Sequence, residues 1–195
     1  MSQGMERSGL TLRRARLDDV PAIAALIDAS IRGLGAERYD PRQVGSSLTH
    51  LFGVDTSMIE DGTYYVVEEP GGRVVGAGGW SRRRTPFGGD QASHFRDAGL
   101  REPGRDAAVI RAFYVHPDRA RQGIGRMLLE MSEAAARTEG YRRFELVATL
   151  TGIPLYAAFG YREVGPERIR LPDGVVIEAV RMERDDRLER TPSGT

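Results

Sequence analysis

One segment in the second half of the chain constrains the fold most, because an apolar run, a pair of glycines and an amphipathic helix follow one another directly. The run Ala108–Val115 is suited to a buried central strand, and His116-Pro117-Asp118 stops it, since a residue before proline disfavours helical backbone angles. Beyond the glycines, a helix that ends near Gly140 has one apolar face, formed by Ile124, Leu128, Met131 and Ala135. The spacing therefore predicts a strand–loop–helix unit.

The loop of this unit has the sequence Arg121-Gln122-Gly123-Ile124-Gly125-Arg126. The first N–H groups of a helix lack intrahelical partners and lie at the positive end of its dipole, so they bind anions. Because glycine has no side chain, Gly123 and Gly125 let a phosphate approach this backbone, and the two arginines add positive charge. The pattern indicates a pyrophosphate site. A tight turn without any ligand is the alternative for a lone Gly-x-Gly.

Two common phosphate motifs do not fit this loop. A dinucleotide fingerprint needs a third glycine where Leu128 stands, and a nucleotide-triphosphate loop needs a Gly-Lys pair. The chain contains no lysine, asparagine or cysteine, so all 28 basic residues are arginine. Schiff-base catalysis, a disulfide framework and a thiolate metal site are therefore excluded.

The composition is that of one soluble globular domain. With 195 residues, 40% of them hydrophobic and 29% charged, the chain can bury a core without cross-links. The formal net charge is zero, which argues against nucleic acid as a partner. No apolar run approaches the ~20 residues of a membrane helix, and the chain does not begin with the apolar stretch of a signal peptide. We therefore expect no membrane partner and a cytoplasmic location.

Around the central unit the sequence predicts a mixed α/β order without internal repeats. Further strands are expected at 11–15, 64–68, 73–80, 144–148, 168–171 and 175–182. Helices are expected at 18–33 and, more weakly, at 41–51, with a short one at 154–159. The connection 81–106 is much longer than an ordinary loop, which indicates that it is either functional or disordered.

Two motifs resemble those of the GNAT superfamily of acetyl-CoA-dependent N-acetyltransferases. Residues 110–130 are similar to its motif A. The loop of that motif has the pattern Arg/Gln-x-x-Gly-x-Gly/Ala, and Gly123 and Gly125 match its two small positions. Ala120 occupies the Arg/Gln position in this chain, and Arg121 lies next to it. Leu155-Tyr156-Ala157-Ala158-Phe159-Gly160-Tyr161 resembles motif B. Because Arg16-Leu17-Asp18-Asp19-Val20 also resembles the family's opening, the resemblance spans nearly the whole chain.

The resemblance implies a GNAT-like α/β fold. Its central sheet is mixed and mostly antiparallel, with about seven strands and about four flanking helices, and a cleft forms where the fourth and fifth strands, 108–115 and 144–148, splay apart. The N-acetyltransferase domain is then residues 10–183. Residues 1–9 and 184–195, which are polar and lack an apolar period, are expected to be disordered tails.

The resemblance also implies the site. Acetyl-CoA is the expected acyl donor, with its pyrophosphate on the glycine loop and its thioester along the strand, where a backbone N–H polarises the carbonyl. Tyr156 corresponds to the family's general acid, and Glu145 aligns with a carboxylate that some members use as base. The expected cofactor-binding residues are Phe113, Tyr114, Val115, Arg121, Gln122, Gly123, Ile124, Gly125 and Arg126.

The function so implied is transfer of an acetyl group to a primary amine, in a small molecule or a peptide, by direct attack in a ternary complex. A non-catalytic acyl-CoA-binding module would keep the glycine loop without depending on Tyr156, and a purely structural domain would need neither motif. No metal is expected, because His50, His94 and His116 have no partners at ligand spacing. A homodimer stays open.

Overall fold

The computed structural model describes residues 5–7 and 9–187, which build one eight-stranded sheet in the order β1-β2-β3-β4-β5-β6-β8-β7. Neighbouring strands are antiparallel except β5 and β6, which are parallel. The strands are β1 (Met5–Arg7), β2 (Leu10–Arg14), β3 (Tyr64–Glu68), β4 (Val74–Ser81), β5 (Ala108–Val115), β6 (Arg143–Thr149), β7 (Arg162–Arg170) and β8 (Val176–Asp185).

The α-helices of the described residues are α1 (Val20–Gly33), α2 (Pro41–His50), α3 (Thr56–Glu60), α4 (Ile124–Thr138) and α5 (Ile153–Ala158). A capping box begins α2: the Asp40 carboxylate accepts from the Gln43 N–H at 2.8 Å, and the Gln43 side chain accepts from the Asp40 N–H at 3.1 Å. This cap explains why the weakly helical stretch after Pro41 forms a regular helix. The short α3 was not anticipated, although Asp55 caps it on the Ser57 N–H.

The mixed, mostly antiparallel sheet is confirmed, with one strand more than expected. Met5–Arg7 pairs with β2, and β8 runs on to Asp185, so both strands enter the segments that the sequence assigned to disordered tails. That assignment is wrong for residues 5–7 and 184–185, because backbone pairing along a free sheet edge needs no apolar periodicity. Residues 1–4, 8 and 188–195 lie outside the described part of the chain.

Apolar side chains pack on both faces of the sheet, and α4 lies unusually close to β4. All eight residues of β4 are buried. A Cβ atom at Gly76 would overlap Ile124 of α4, and one at Gly79 would overlap the Thr63 carbonyl. The glycines of β4 therefore allow the start of α4 to settle directly on the sheet.

The parallel strands β5 and β6 pair over only two positions, Ala108↔Phe144 and Val109↔Glu145, and then diverge. On its other side β5 has a β-bulge against β4. Arg111 pairs with Gly79 and Tyr114 pairs with Ala77, so β5 has one residue more than β4 between these two pairs. Ala112 lies in this bulge with a φ of 60°, and its carbonyl accepts from the Tyr64 hydroxyl at 3.1 Å. The divergence leaves a cleft in the middle of the sheet, as the sequence predicted. Within residues 5–7 and 9–187, no helix is long and apolar enough to cross a membrane.

Candidate active site

The split between β5 and β6 contains a cleft of about 510 Å³. One end is the glycine loop, at Ala120, Arg121, Gly123, Gly125 and Arg126. The middle passes between residues 110–115 of β5 and Val147 and Thr149 of β6, with Tyr156 of α5 beside them. The other end lies among Tyr39, Phe52, Phe87 and Ile177. The volume is in the ordinary range for a small-molecule site.

Gly123 is the N-cap of α4, with a φ of +84° and open space where a side chain would stand. The first intrahelical bond runs from the Met127 N–H to the Gly123 carbonyl at 3.0 Å, so the three N–H groups of residues 124–126 have no partner within the helix. Arg121 also has a positive φ, of 63°. The loop thus exposes backbone donors at the positive end of a fifteen-residue helix, the arrangement that binds phosphates.

The two glycines of the loop have different functions. A Cβ atom at Gly125 would lie 3.0 Å from a methyl group of Leu155, so this glycine lets α5 pack against the first turn of α4. Gly123 meets no such neighbour and is the position that a ligand can approach. The sequence motif therefore combines one packing requirement with one open backbone position.

The side chains of the loop also separate into two groups. Arg121 and Arg126 line the cleft, neither is paired with a described carboxylate, and the Arg126 guanidinium lies 5.2 Å from the centre of the Phe159 ring. Gln122 instead donates to the Asp118 carbonyl at 3.2 Å, and Ile124 is buried in the core. Of the expected binding residues, these last two can therefore contribute only backbone N–H groups.

Tyr156 lines the middle of the cleft and is only 7% exposed. Its ring makes edge contacts with Phe113 at 6.1 Å and Tyr161 at 5.8 Å between centroids. Burial raises the pKa of its hydroxyl well above the ordinary value near 10, and the nearby Tyr114 adds to the shift. No described side chain hydrogen-bonds this hydroxyl. The structure therefore brings Tyr156 together with Phe113, Tyr114 and Val115, as expected from the sequence.

A sequence profile described as "Acetyltransferase (GNAT) domain" matches residues 60–163, more than half of the chain. The protein belongs to the GNAT acetyltransferase family. Its matched region begins just before β3 and ends at the start of β7, so it contains the glycine loop, the split strands and Tyr156. The resemblance seen in the sequence is confirmed.

Solved GNAT structures share the fold over almost the whole chain. A GCN5-related N-acetyltransferase from Rhodopseudomonas palustris is 21% identical with a TM-score of 0.68, covering 94% of this chain and 99% of its own. An N-acetyltransferase from Staphylococcus aureus is 19% identical with a TM-score of 0.59, and the match covers 91% of this chain and 99% of that protein's chain. A GNAT family acetyltransferase from Brucella melitensis, solved with acetyl-CoA, is 20% identical with a TM-score of 0.52. That match covers 86% of this chain and 94% of the other protein's chain. Among curated proteins, none matches significantly.

Glu145 is the expected catalytic residue that the GNAT fold does not bring to the cleft. It lies in the paired part of the split strands, opposite Val109, and its carboxylate forms an ion pair with Arg101. Val147 and Thr149, on the same face of β6, do line the cleft. Each residue of a strand advances about 3.3 Å, so Glu145 lies one side-chain repeat before the point where the strands open. Glu145 is therefore an ion-pair partner of Arg101 that does not line the cleft, and the role of base that the resemblance implied for it stays a prediction.

The far end of the cleft in this GNAT domain is built by residues that no sequence motif marks. These residues come from three segments of the chain: Glu37 and Tyr39 from one, Phe52 from the second and Phe87 from the third. No local spacing could have marked them, because only the fold brings them together.

Arg111 of β5 fixes the long connection 81–106 over this end of the cleft. Its guanidinium donates to the Thr85 carbonyl at 2.8 Å and to the Gly88 carbonyl. It also lies 2.8 Å from Asp55, a pair whose side chains are only 4% and 1% exposed. Burial lowers the pKa of Arg111, and the Asp55 charge opposes that shift. The connection that was expected to be either functional or disordered is thus ordered, and it places Phe87 in the wall of the cleft.

The histidines of the described residues show no metal-binding arrangement, and no group of three or more His, Cys, Asp or Glu there could hold a metal ion. His116 accepts from the Asp118 N–H at 3.2 Å and caps the short turn Pro117–Arg119. Its other ring nitrogen lies 2.8 Å from Arg73. His116 therefore has a structural role, because it stabilises the turn that follows β5.

Proposed function

We propose that this protein is an N-acetyltransferase that moves an acetyl group from acetyl-CoA to a primary amine by direct attack in a ternary complex. The observation that carries the proposal is that one continuous cleft joins the open N–H groups beside Gly123 to the hydroxyl of Tyr156. An anionic, elongated thioester matches both ends of that path. The Brucella melitensis structure solved with acetyl-CoA supports the choice of donor.

The residues of the loop fit the pyrophosphate of acetyl-CoA. The N–H groups of residues 124–126 supply hydrogen bonds, and Arg121 and Arg126 supply positive charge that no described carboxylate neutralises. The thioester then lies along Phe113 to Val115, where β5 has left β6 and its backbone faces the cleft. A backbone N–H there stabilises the oxyanion that forms when the amine attacks.

The chemical step forms a C–N bond and breaks the C–S bond, the amine gives up one proton, and CoA leaves as the thiol. The Tyr156 phenol stays protonated at neutral pH because its pKa is raised. Full proton transfer from an unshifted tyrosine to a thiolate already costs about 2 kcal/mol, and the raised pKa makes it costlier. We therefore assign Tyr156 the part of a hydrogen-bond donor to the departing sulfur.

The amine must reach the thioester as the free base. An α-amino group loses about 1.4 kcal/mol by deprotonation at pH 7, whereas a lysine-like amine loses about 4.6 kcal/mol. Because Glu145 lies outside the cleft, the proposal gives it no part in this step. The ammonium ion gives up its proton to solvent before the attack, and the proton that the nitrogen loses on forming the amide balances the proton that the departing thiolate gains from solvent.

Titration calorimetry with acetyl-CoA tests the donor site. We expect Gly123→Asp to abolish binding, because a carboxylate would stand where the pyrophosphate belongs. Gly72→Asp is the matched control, since Gly72 also has a positive φ, of 83°, and open surroundings, but lies in the turn between β3 and β4. Failure of the wild-type protein to bind acetyl-CoA would reject the proposal.

Thiol release then tests turnover against a panel of primary amines. A thiol reagent gives no background from the protein, because the chain has no cysteine. Release that depends on both acetyl-CoA and an amine supports the transferase. Binding of acetyl-CoA without release for any amine would identify the non-catalytic acyl-CoA-binding module instead.

A further inference from the structure

The acceptor end of the cleft, meaning the part lined by Glu37, Tyr39, Phe52, Phe87 and Ile177, has an apolar wall. Phe52 packs edge-on against Tyr114 at 6.3 Å between ring centroids, and Phe87 packs against Phe95 at 4.9 Å. Ile177 belongs to the same apolar cluster as Phe52 and Phe87. Two aromatic side chains and a branched aliphatic one favour a ligand with an apolar body.

Glu37 is the one carboxylate among the described residues that line the cleft. Glu37 is exposed and makes no ion pair or side-chain hydrogen bond with any described residue, so its carboxylate is available to a ligand. The other charged residues that line the cleft are arginines, and Arg111, the one nearest this end, is neutralised by Asp55. A cation is therefore the ligand that Glu37 attracts.

Three side-chain hydrogen bonds tie the segment after α1 to the opposite side of the cleft. The Tyr39 hydroxyl donates to the Glu178 carbonyl at 2.7 Å and accepts from the Leu150 N–H at 3.0 Å, so it bridges β8 and the end of β6. The Gln43 amide donates to the Val176 carbonyl at 2.9 Å. We call these contacts the Tyr39 strap. An extended peptide cannot lie across the cleft while the strap is closed, which favours a compact acceptor.

We propose that the acceptor is a small primary amine with an aromatic or branched aliphatic body, whose ammonium group binds Glu37. This inference rests on the proposed function for its chemistry, but the binding site can be tested without turnover. The apolar body packs against Phe52 and Phe87, and the positive charge selects against neutral and zwitterionic analogues. Glu37 is assigned to recognition of the acceptor's positive charge, and the proposed function leaves removal of the proton to solvent.

The probe is 2-phenylethylamine, titrated by calorimetry into protein saturated with CoA. We expect Glu37→Gln to raise the dissociation constant about two- to fivefold, the range of one exposed ion pair. Glu60→Gln is the control, because Glu60 is also exposed but lies at the end of α3, away from the cleft. It should leave the dissociation constant unchanged. Raising the salt concentration should weaken binding to wild type more than to Glu37→Gln.

Ligand comparisons complete the test. 2-Phenylethanol, which has the same body without charge, and phenylalanine, which adds a carboxylate, should both bind more weakly than 2-phenylethylamine. Equal affinity of 2-phenylethylamine for wild type and Glu37→Gln, or tighter binding of an alanine hexapeptide, would overturn the inference. Binding that depends on Glu37 without any thiol release would leave the amine site standing and reject the proposed transferase, so the two failures are distinguishable.

Discussion

Tyr156 is held by its ring and not by its hydroxyl, which makes its substitution informative. The ring packs on Phe113 and Tyr161, and no described side chain bonds the oxygen. In Tyr156→Phe we expect kcat to fall about 10- to 100-fold through loss of the hydrogen bond to the departing sulfur. The KM for acetyl-CoA and the melting temperature should change little, because the Tyr156 hydroxyl makes no hydrogen bond with a described side chain whose loss would weaken the fold. Steady-state thiol release and thermal unfolding measure both effects.

An unchanged kcat in Tyr156→Phe would make the tyrosine a packing residue alone. In that case CoA leaves as a thiolate that solvent protonates. A matched loss of kcat and melting temperature would point instead to a disturbed α5.

Glu145 provides the opposite case, a residue whose sequence position indicates catalysis and whose surroundings indicate structure. Its carboxylate pairs with Arg101, at side-chain exposures of 32% and 16%. We expect Glu145→Gln to lower the free energy of unfolding by about 0.5–1 kcal/mol, as for a partly exposed ion pair, and to keep kcat within about twofold. Urea unfolding and the thiol assay measure these quantities. A tenfold loss of kcat with full stability would restore Glu145 as a base.

At the scale of elements, the connection 81–106 depends on contacts with neighbouring segments. The Gly89 N–H donates to the Leu51 carbonyl at 2.8 Å, and the Asp90 N–H donates to the Val54 carbonyl at 2.9 Å. Arg96 reaches Asp55 at 3.2 Å from within the connection, and Arg111 reaches it from β5. One buried carboxylate therefore joins a loop, a strand and the start of α3.

Removing Arg111 should cost more stability than removing a surface arginine. In Arg111→Met we expect a loss of about 3 kcal/mol in the free energy of unfolding, because Asp55 keeps Arg96 but loses its fully buried partner. Arg32→Met is the control: Arg32 pairs with Asp28 at side-chain exposures of 60% and 53%, and its loss should cost under about 0.5 kcal/mol. Urea denaturation compares the two, and equal losses would contradict the assigned anchoring part.

The whole molecule shows which features a sequence reveals by itself. The glycine loop was predictable from its own residues, because neighbouring residues set the geometry of a strand-to-helix turn. Tyr156 was marked only by the resemblance of its segment to the family's motif B. The mixed α/β order followed from the alternation of apolar runs with turn residues, and the mostly antiparallel sheet followed from the family resemblance. The strand Met5–Arg7 was not predictable in this way, since its pairing depends on the free edge of β2.

The parts of the site that escaped prediction depend on distant contacts. The ion pair of Glu145 with Arg101 was not predictable, because the two residues are 44 positions apart in sequence and only the fold brings them together. Glu37 and Phe87 lie in segments without periodicity, fifty residues apart in sequence. Their common location emerges only when Arg111 and the Tyr39 strap fix both segments against the sheet.

Because β5 and β6 pair at only two positions, the sheet consists of two halves that are joined by a short stretch of backbone pairing. The half that ends in β5 continues into the glycine loop, and the half that begins with β6 continues into α5 and Tyr156. In the proposed function, the acyl donor lies between β5 and β6, where backbone hydrogen bonds between the strands are missing. Its contacts with both strands then also hold the two halves of the sheet together. If the proposed function holds, release of CoA requires these contacts to break, and we expect the turnover rate to depend on how readily β5 and β6 separate.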